Sequence, residues 1–136
     1  MTMPLTRCEK VPVARAEFRT RVLIVDDEPL VRWSLAAGLR VAGFDAVTAA
    51  CGAEAVALAY GRPAPAVVLI DAQLYDTDAI VLIDRLIAAA PGCRILALTT
   101  AGPDAAVRPC WAGITLVRKP FDLADVVRLV ERAVAI

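Results

Sequence analysis

Five side chains stand where chemistry is most readily done: Asp26, Asp27, Asp71, Thr99 and Lys119. Each lies at or just beyond the end of an apolar run. Val22-Leu23-Ile24-Val25 leads into Asp26-Asp27, and Val67-Val68-Leu69-Ile70 leads into Asp71. Arg94 to Leu98 closes on Thr99, and Ile114 to Val117 leads to Arg118-Lys119-Pro120. If the first and third runs are neighbouring strands, about 4.8 Å apart, the three carboxylates converge. At that range they repel and raise one another's pKa values. A hard divalent cation with oxygen ligands removes the conflict, and Mg²⁺ fits best, being held by one or two carboxylates plus water and phosphate. Lys119 is notable because only it and Lys10 are lysines among 15 basic residues. A compact ammonium on a flexible stem reaches a phosphoryl oxygen or a carboxylate as a point charge.

The elements that must position these groups follow from the pattern. Unbroken apolar runs of four or five residues are buried on both faces, the mark of parallel strands. Strands are expected at about 21–25, 44–49, 66–71, 94–98 and 114–117. Helices are expected between them. One starts at Pro29, which suits a first helical turn, carries Leu30, Val31, Ser34, Leu35 and Leu39, and ends by Gly43. A second spans 51–60 and stops at Gly61 and Pro63. A third runs through Ile80, Leu82, Ile83, Leu86 and Ile87, capped by Asp76, Thr77 or Asp78. A weak helix is expected over 104–111 and an amphipathic one over 122–135. Alternation of this kind predicts a single α/β domain with one doubly wound, five-stranded parallel sheet. All the chemical groups then share one rim, the crevice beyond the strand ends where ligands of such sheets bind. Residues 1–19 lack periodicity and read as a flexible extension; 20–136 form the domain.

Composition narrows the function. With 59% apolar and 22% charged residues the chain can build a core. A formal net charge of zero gives no electrostatic case for nucleic acid or an anionic membrane. No apolar run approaches a membrane span, no secretory leader is visible, and a cytoplasmic location is expected. Cys8, Cys51, Cys93 and Cys110 are too widely spaced for a zinc site and read as free thiols. Histidine is absent, which removes His-based metal sites and Ser-His-Asp triads.

Taken in register, Val25-Asp26-Asp27-Glu28-Pro29, the strand ending in Asp71, Leu98-Thr99 and Lys119-Pro120-Phe121 resemble the receiver domain of bacterial response regulators. The resemblance covers about residues 20–136. It is nearest to receivers attached to nitrogen-regulation-type transcription activators. It implies a flavodoxin-like fold with strand order 2-1-3-4-5. It implies that Asp71 accepts a phosphoryl group from a sensor histidine kinase, with Mg²⁺ held by Asp26, Asp27, Asp71 and the backbone carbonyl of Gln73. Thr99 would hydrogen-bond the phosphoryl group, Lys119 would neutralise it, and Lys119-Pro120 would be a cis peptide. The outcome would be a changed contact with a downstream effector protein or domain, or with a second copy in a homodimer. The chain would not be an enzyme beyond slow hydrolysis of its own aspartyl phosphate.

Some residues depart from the receiver pattern. Tyr75 and Ala79 stand where the loop after the acceptor usually has Pro and Gly, so that loop is expected to take another path. Thr100 replaces a smaller residue. Leu116 occupies the place of a switch aromatic and reads as a core residue. Pro109 falls inside the weak 104–111 helix, where it removes a donor and clashes with the preceding turn, so that helix is expected to be irregular. Trp111 is either an exposed anchor or a packing residue there. These departures keep a second reading alive: a degenerate receiver serving as a phosphorylation-independent interaction or dimerisation module. An Asp-based phosphatase is disfavoured, because Gln73 stands where such a site needs a general acid.

Overall fold

The computed structural model describes residues 19–73, 78–99 and 114–135. Five strands, β1 (Arg21–Val25), β2 (Asp45–Ala49), β3 (Val67–Asp71), β4 (Arg94–Thr99) and β5 (Thr115–Arg118), form one sheet in the order β2-β1-β3-β4-β5. Every pairing is parallel. Four described helices, α1 (Pro29–Val41), α2 (Gly52–Ala59), α3 (Ala79–Ala89) and α4 (Leu123–Ala135), cover it.

Alternate residues of each strand point to opposite faces, and the core accordingly divides in two. On one face Leu23, Val25, Val68, Ile70, Ile95 and Ala97 pack against Ala55 and Ala59 of α2 and Leu82, Ile83 and Leu86 of α3. On the other, Val22, Ile24, Val67, Leu69, Leu96 and Leu98 meet Leu35, Ala36 and Leu39 of α1 and Val126 and Val130 of α4. The unbroken apolar runs have this cause: neither face of β1, β3 or β4 reaches water. Each such Leu, Ile or Val contributes about 1.5–3 kcal/mol when fully buried.

Local signals act as their chemistry requires. Pro29 opens α1, and Gly43, at φ +101°, supplies the left-handed turn that ends it. Asp78 caps α3, its Oδ1 accepting from the Ile80 N–H at 2.8 Å. Ala79 is the first residue of that helix and is buried, so it carries no left-handed strain. Gly38, in the last turn of α1, lies against α4; a Cβ there would come within 2.9 Å of Leu123 Cδ2.

Leu116 corrects an expectation. It is 37% exposed rather than a core residue, while its neighbour Val117 is buried. β5 borders one strand only and lies at the sheet's edge, so one of its faces is less covered than those of the central strands. Strand and helix limits otherwise differ from the expected ones by a residue or so, the usual scatter of element ends. Tyr75, Thr100, the 104–111 helix with Pro109 and Trp111, and all of the N-terminal extension except Arg19 lie outside the described residues.

Candidate functional site

The C-terminal ends of β1 and β3 bring the acids together. Val25 is opposite Ile70 in the ladder, so the residues that follow, Asp26 and Asp71, leave the sheet side by side. Ligand oxygens of Asp26, Asp27 and Asp71 all lie within 4.8 Å of one another. Asp26 is fully buried, Asp71 is buried at 5% exposure, and Asp27 is half-buried.

The two strand-end carboxylates are held in the same way. Asp26 Oδ1 accepts from the Glu28 N–H at 2.9 Å, and Asp71 Oδ1 accepts from the Gln73 N–H at 2.9 Å. Each is a local turn in which an aspartate side chain binds the amide two residues on. The Oδ2 atoms are thereby left for Lys119, whose Nζ lies 3.6 Å from Asp26 Oδ2 and 3.6 Å from Asp71 Oδ2. At that length these are electrostatic pairs rather than hydrogen bonds. Lys119 is itself positioned by β4: its N–H donates to the Thr99 carbonyl at 2.8 Å, and Lys119-Pro120 is a cis peptide. Thr99 is buried at the end of β4, and Ala72, next to Asp71, donates its N–H to the Leu98 carbonyl at 2.8 Å. Four strand ends therefore share one rim, as the sequence pattern requires.

Electrostatically the rim is strained. Burial pushes the Asp26 carboxyl above its ordinary value; the Glu28 amide and Lys119 pull it back, and Asp71 and Asp27 push it up again. Among the described residues, Asp26 Oδ2 and Asp27 Oδ2 are buried without a hydrogen-bond partner. Buried polar atoms in native proteins are almost always satisfied. Orphaned, convergent, hard oxygen donors fit a small divalent cation.

Arg32 is a contact that sequence reasoning passed over. From α1 its Nη1 donates to the Asp26 carbonyl at 2.7 Å. A signal for it exists: α1 has no acid in its first turn and instead places a cation near its N-terminus, against the preference of the helix dipole. Beside the rim, Leu30, Val31, Ser34, Lys119, Pro120, Phe121 and Leu123 line a groove of about 710 Å³.

Comparison with known proteins agrees with this geometry. The profile of the response regulator receiver domain family matches residues 22–131. The probable transcriptional regulatory protein TcrX of Mycobacterium tuberculosis is 36% identical over 111 residues, spanning 78% of this chain and 46% of TcrX. The DNA-binding transcriptional regulator NtrC of Escherichia coli K12 is 34% identical over 116 residues, 84% of this chain and 24% of NtrC. The chain thus spans less than half the length of either relative. The chemotaxis protein CheY4 of Vibrio cholerae superposes with a TM-score of 0.74 at 27% identity, over 85% of this chain and 98% of that one. The fold, the strand-end acids and the profile match agree, and the chain belongs to the response regulator receiver domain family of two-component signalling.

Proposed function

We propose that this domain is a phosphoacceptor switch: Asp71 takes a phosphoryl group from a histidine kinase in a Mg²⁺-dependent reaction, and the change alters a protein contact. The observation that carries this reading is the rim itself. Three carboxylates have oxygens within 4.8 Å of one another, two buried oxygens among them lack a hydrogen-bond partner among the described residues, and one lysine is shared at 3.6 Å between Asp26 and Asp71.

In the proposed reaction a carboxylate oxygen of Asp71 attacks the phosphorus of a phosphohistidine. The new P–O bond forms as the P–N bond breaks, and its electron pair stays on the imidazole nitrogen. Positioning and charge neutralisation are most of what such a transfer asks of a protein. Lys119, already within reach of Asp71 Oδ2, offsets the added negative charge. The Thr99 hydroxyl donates to a phosphoryl oxygen. Asp26, Asp27, Asp71 and the Gln73 carbonyl hold Mg²⁺, which when bound neutralises the acids and the incoming phosphoryl oxygens. The domain accepts one group and slowly hydrolyses it, rather than turning over an external substrate.

Residues 20–136 form the receiver in this reading and 1–19 an extension. The partners are a sensor histidine kinase and an effector, in a longer parent chain or a separate protein, with a homodimer as a further contact. The setting is cytoplasmic, where the phosphodonor is made. Among the described residues no helix is long and apolar enough to cross a membrane.

The test is intact mass after treatment with acetyl phosphate and Mg²⁺. Wild type should gain one phosphoryl group and Asp71→Asn none. An unmodified wild type would leave the alternative, a phosphorylation-independent interaction module, as the better account.

A further inference from the structure

Asp26 is anchored at three points, and the third lies on the peptide that joins it to Asp27. The Asp26 N–H donates to the Ala49 carbonyl of β2 at 3.2 Å. The Asp26 carboxylate accepts from the Glu28 N–H at 2.9 Å. The Asp26 carbonyl accepts from Arg32 Nη1 at 2.7 Å. The third anchor is the unusual one, since it comes from a side chain on another element. It is short and charge-assisted, the stronger kind of hydrogen bond. That carbonyl belongs to the plane between the two acidic residues, so its direction sets where the Asp27 carboxylate points relative to Asp26 and Asp71.

We propose that Arg32 is a positioning residue for the acidic rim: by holding the Asp26 carbonyl it keeps the Asp26–Asp27 peptide in the orientation in which all three carboxylates converge on one ion. This rests on the metal reading of the rim given above. Arg32 acts on the second acid through the backbone, and without touching substrate. Its cost is a cation near a helix N-terminus, where the dipole opposes it. Arg40 provides an internal control. It lies on the same helix and makes the same kind of bond, Nη2 to the Ala46 carbonyl at 2.9 Å, but Ala46 lies near the start of β2 rather than at the acidic rim.

The experiment measures Mg²⁺ affinity by calorimetry on the full chain, with melting temperature in chelator as the separate readout of folding. Outer-shell partners of metal ligands typically account for about 10–100-fold in affinity. Arg32→Ala should therefore weaken Mg²⁺ binding by roughly 10-fold or more. Arg40→Ala should lower the melting temperature yet bind Mg²⁺ as wild type does. Arg32→Lys, which keeps the charge and a donor, should recover most of the affinity. If Arg32→Ala does not fold, Arg32→Gln against Arg32→Lys carries the test, and Lys should bind the more tightly. Equal Mg²⁺ affinity in wild type and all folded Arg32 variants overturns the inference and leaves the metal reading standing. A wild type that binds no Mg²⁺ overturns both.

Discussion

The two ends of the sheet treat charge in opposite ways. At the N-terminal end Arg21 and Asp45 are register partners on β1 and β2, and their side chains meet at 2.9 Å, half-exposed. Arg21 also donates to the Pro63 carbonyl at 3.2 Å. The two charges of this pair match one another, and water screens what is left. At the C-terminal end three acids share one lysine at 3.6 Å, and two buried oxygens have no hydrogen-bond partner among the described residues. The first arrangement is complete without a ligand. The second is not, and local rules of polar satisfaction tend to be broken at functional sites.

The sharpest break of this contrast is Asp71→Asn. The Asn carbonyl can still accept from the Gln73 N–H, so the turn should persist, but the nucleophile is gone. Phosphorylation by acetyl phosphate should vanish at every Mg²⁺ concentration, as read by intact mass. Next in size is Lys119→Met. It leaves the fully buried Asp26 without its cation, and breaking such a buried pair costs about 3–5 kcal/mol. Chemical denaturation at neutral pH without metal should show a loss in that range. The phosphorylation rate should also fall on the order of 100-fold, a usual cost of removing one charge-stabilising donor.

Asp26→Asn should have the opposite sign. Burial raises the folded-state pKa of Asp26 above its ordinary 3.8, so between those values the folded protein holds a proton that the unfolded chain releases. Stability from this group therefore falls as pH rises through that window, and the penalty is complete above the raised value. Without metal the Asn variant should be more stable than wild type by about 1–3 kcal/mol at neutral pH, the cost of a buried unsatisfied group. The gap should close below pH 3.8, where the Asp is protonated in both states. Saturating Mg²⁺ should shrink it too, by stabilising wild type more than the variant. A pH series of melting curves checks both. The smallest effect belongs to the opposite end of the sheet. Asp45→Asn should cost under about 1 kcal/mol, as exposed ion pairs do, and its loss should fade at high salt. A larger cost would show that the paired end contributes more than its exposure implies.

What the sequence made legible was what burial and chain order express. Val67 to Ile70 announces a central strand because both its faces are covered, and that alone places Asp71 at a rim. The rarity of lysine drew attention to Lys119. Arg32 left only an indirect signal, a cation near a helix N-terminus, because its partner is a backbone carbonyl and bonds of that kind leave no complementary residue elsewhere in the chain. Arg21 and Asp45 were not legible because their meeting depends on strand register. Leu116 misled because an apolar residue in a strand reads the same whether the strand is central or at an edge. Asp78 was one of three candidates for the cap, and the backbone geometry at the start of α3, rather than residue type, singles it out.

Gly38 gives the protein engineer a warning. Replacing a helical glycine by alanine is a routine route to thermostability, worth up to about 0.8–1.0 kcal/mol of helix propensity. Here the new methyl would meet the end of Leu123, a half-exposed side chain able to swing aside. A stability screen would therefore reward the change. Yet Leu123 also forms a wall of the groove that reaches Lys119. The substitution that looks safest on a melting curve would redraw the surface beside the reactive rim, and heat resistance would be a poor guide to whether signalling had survived.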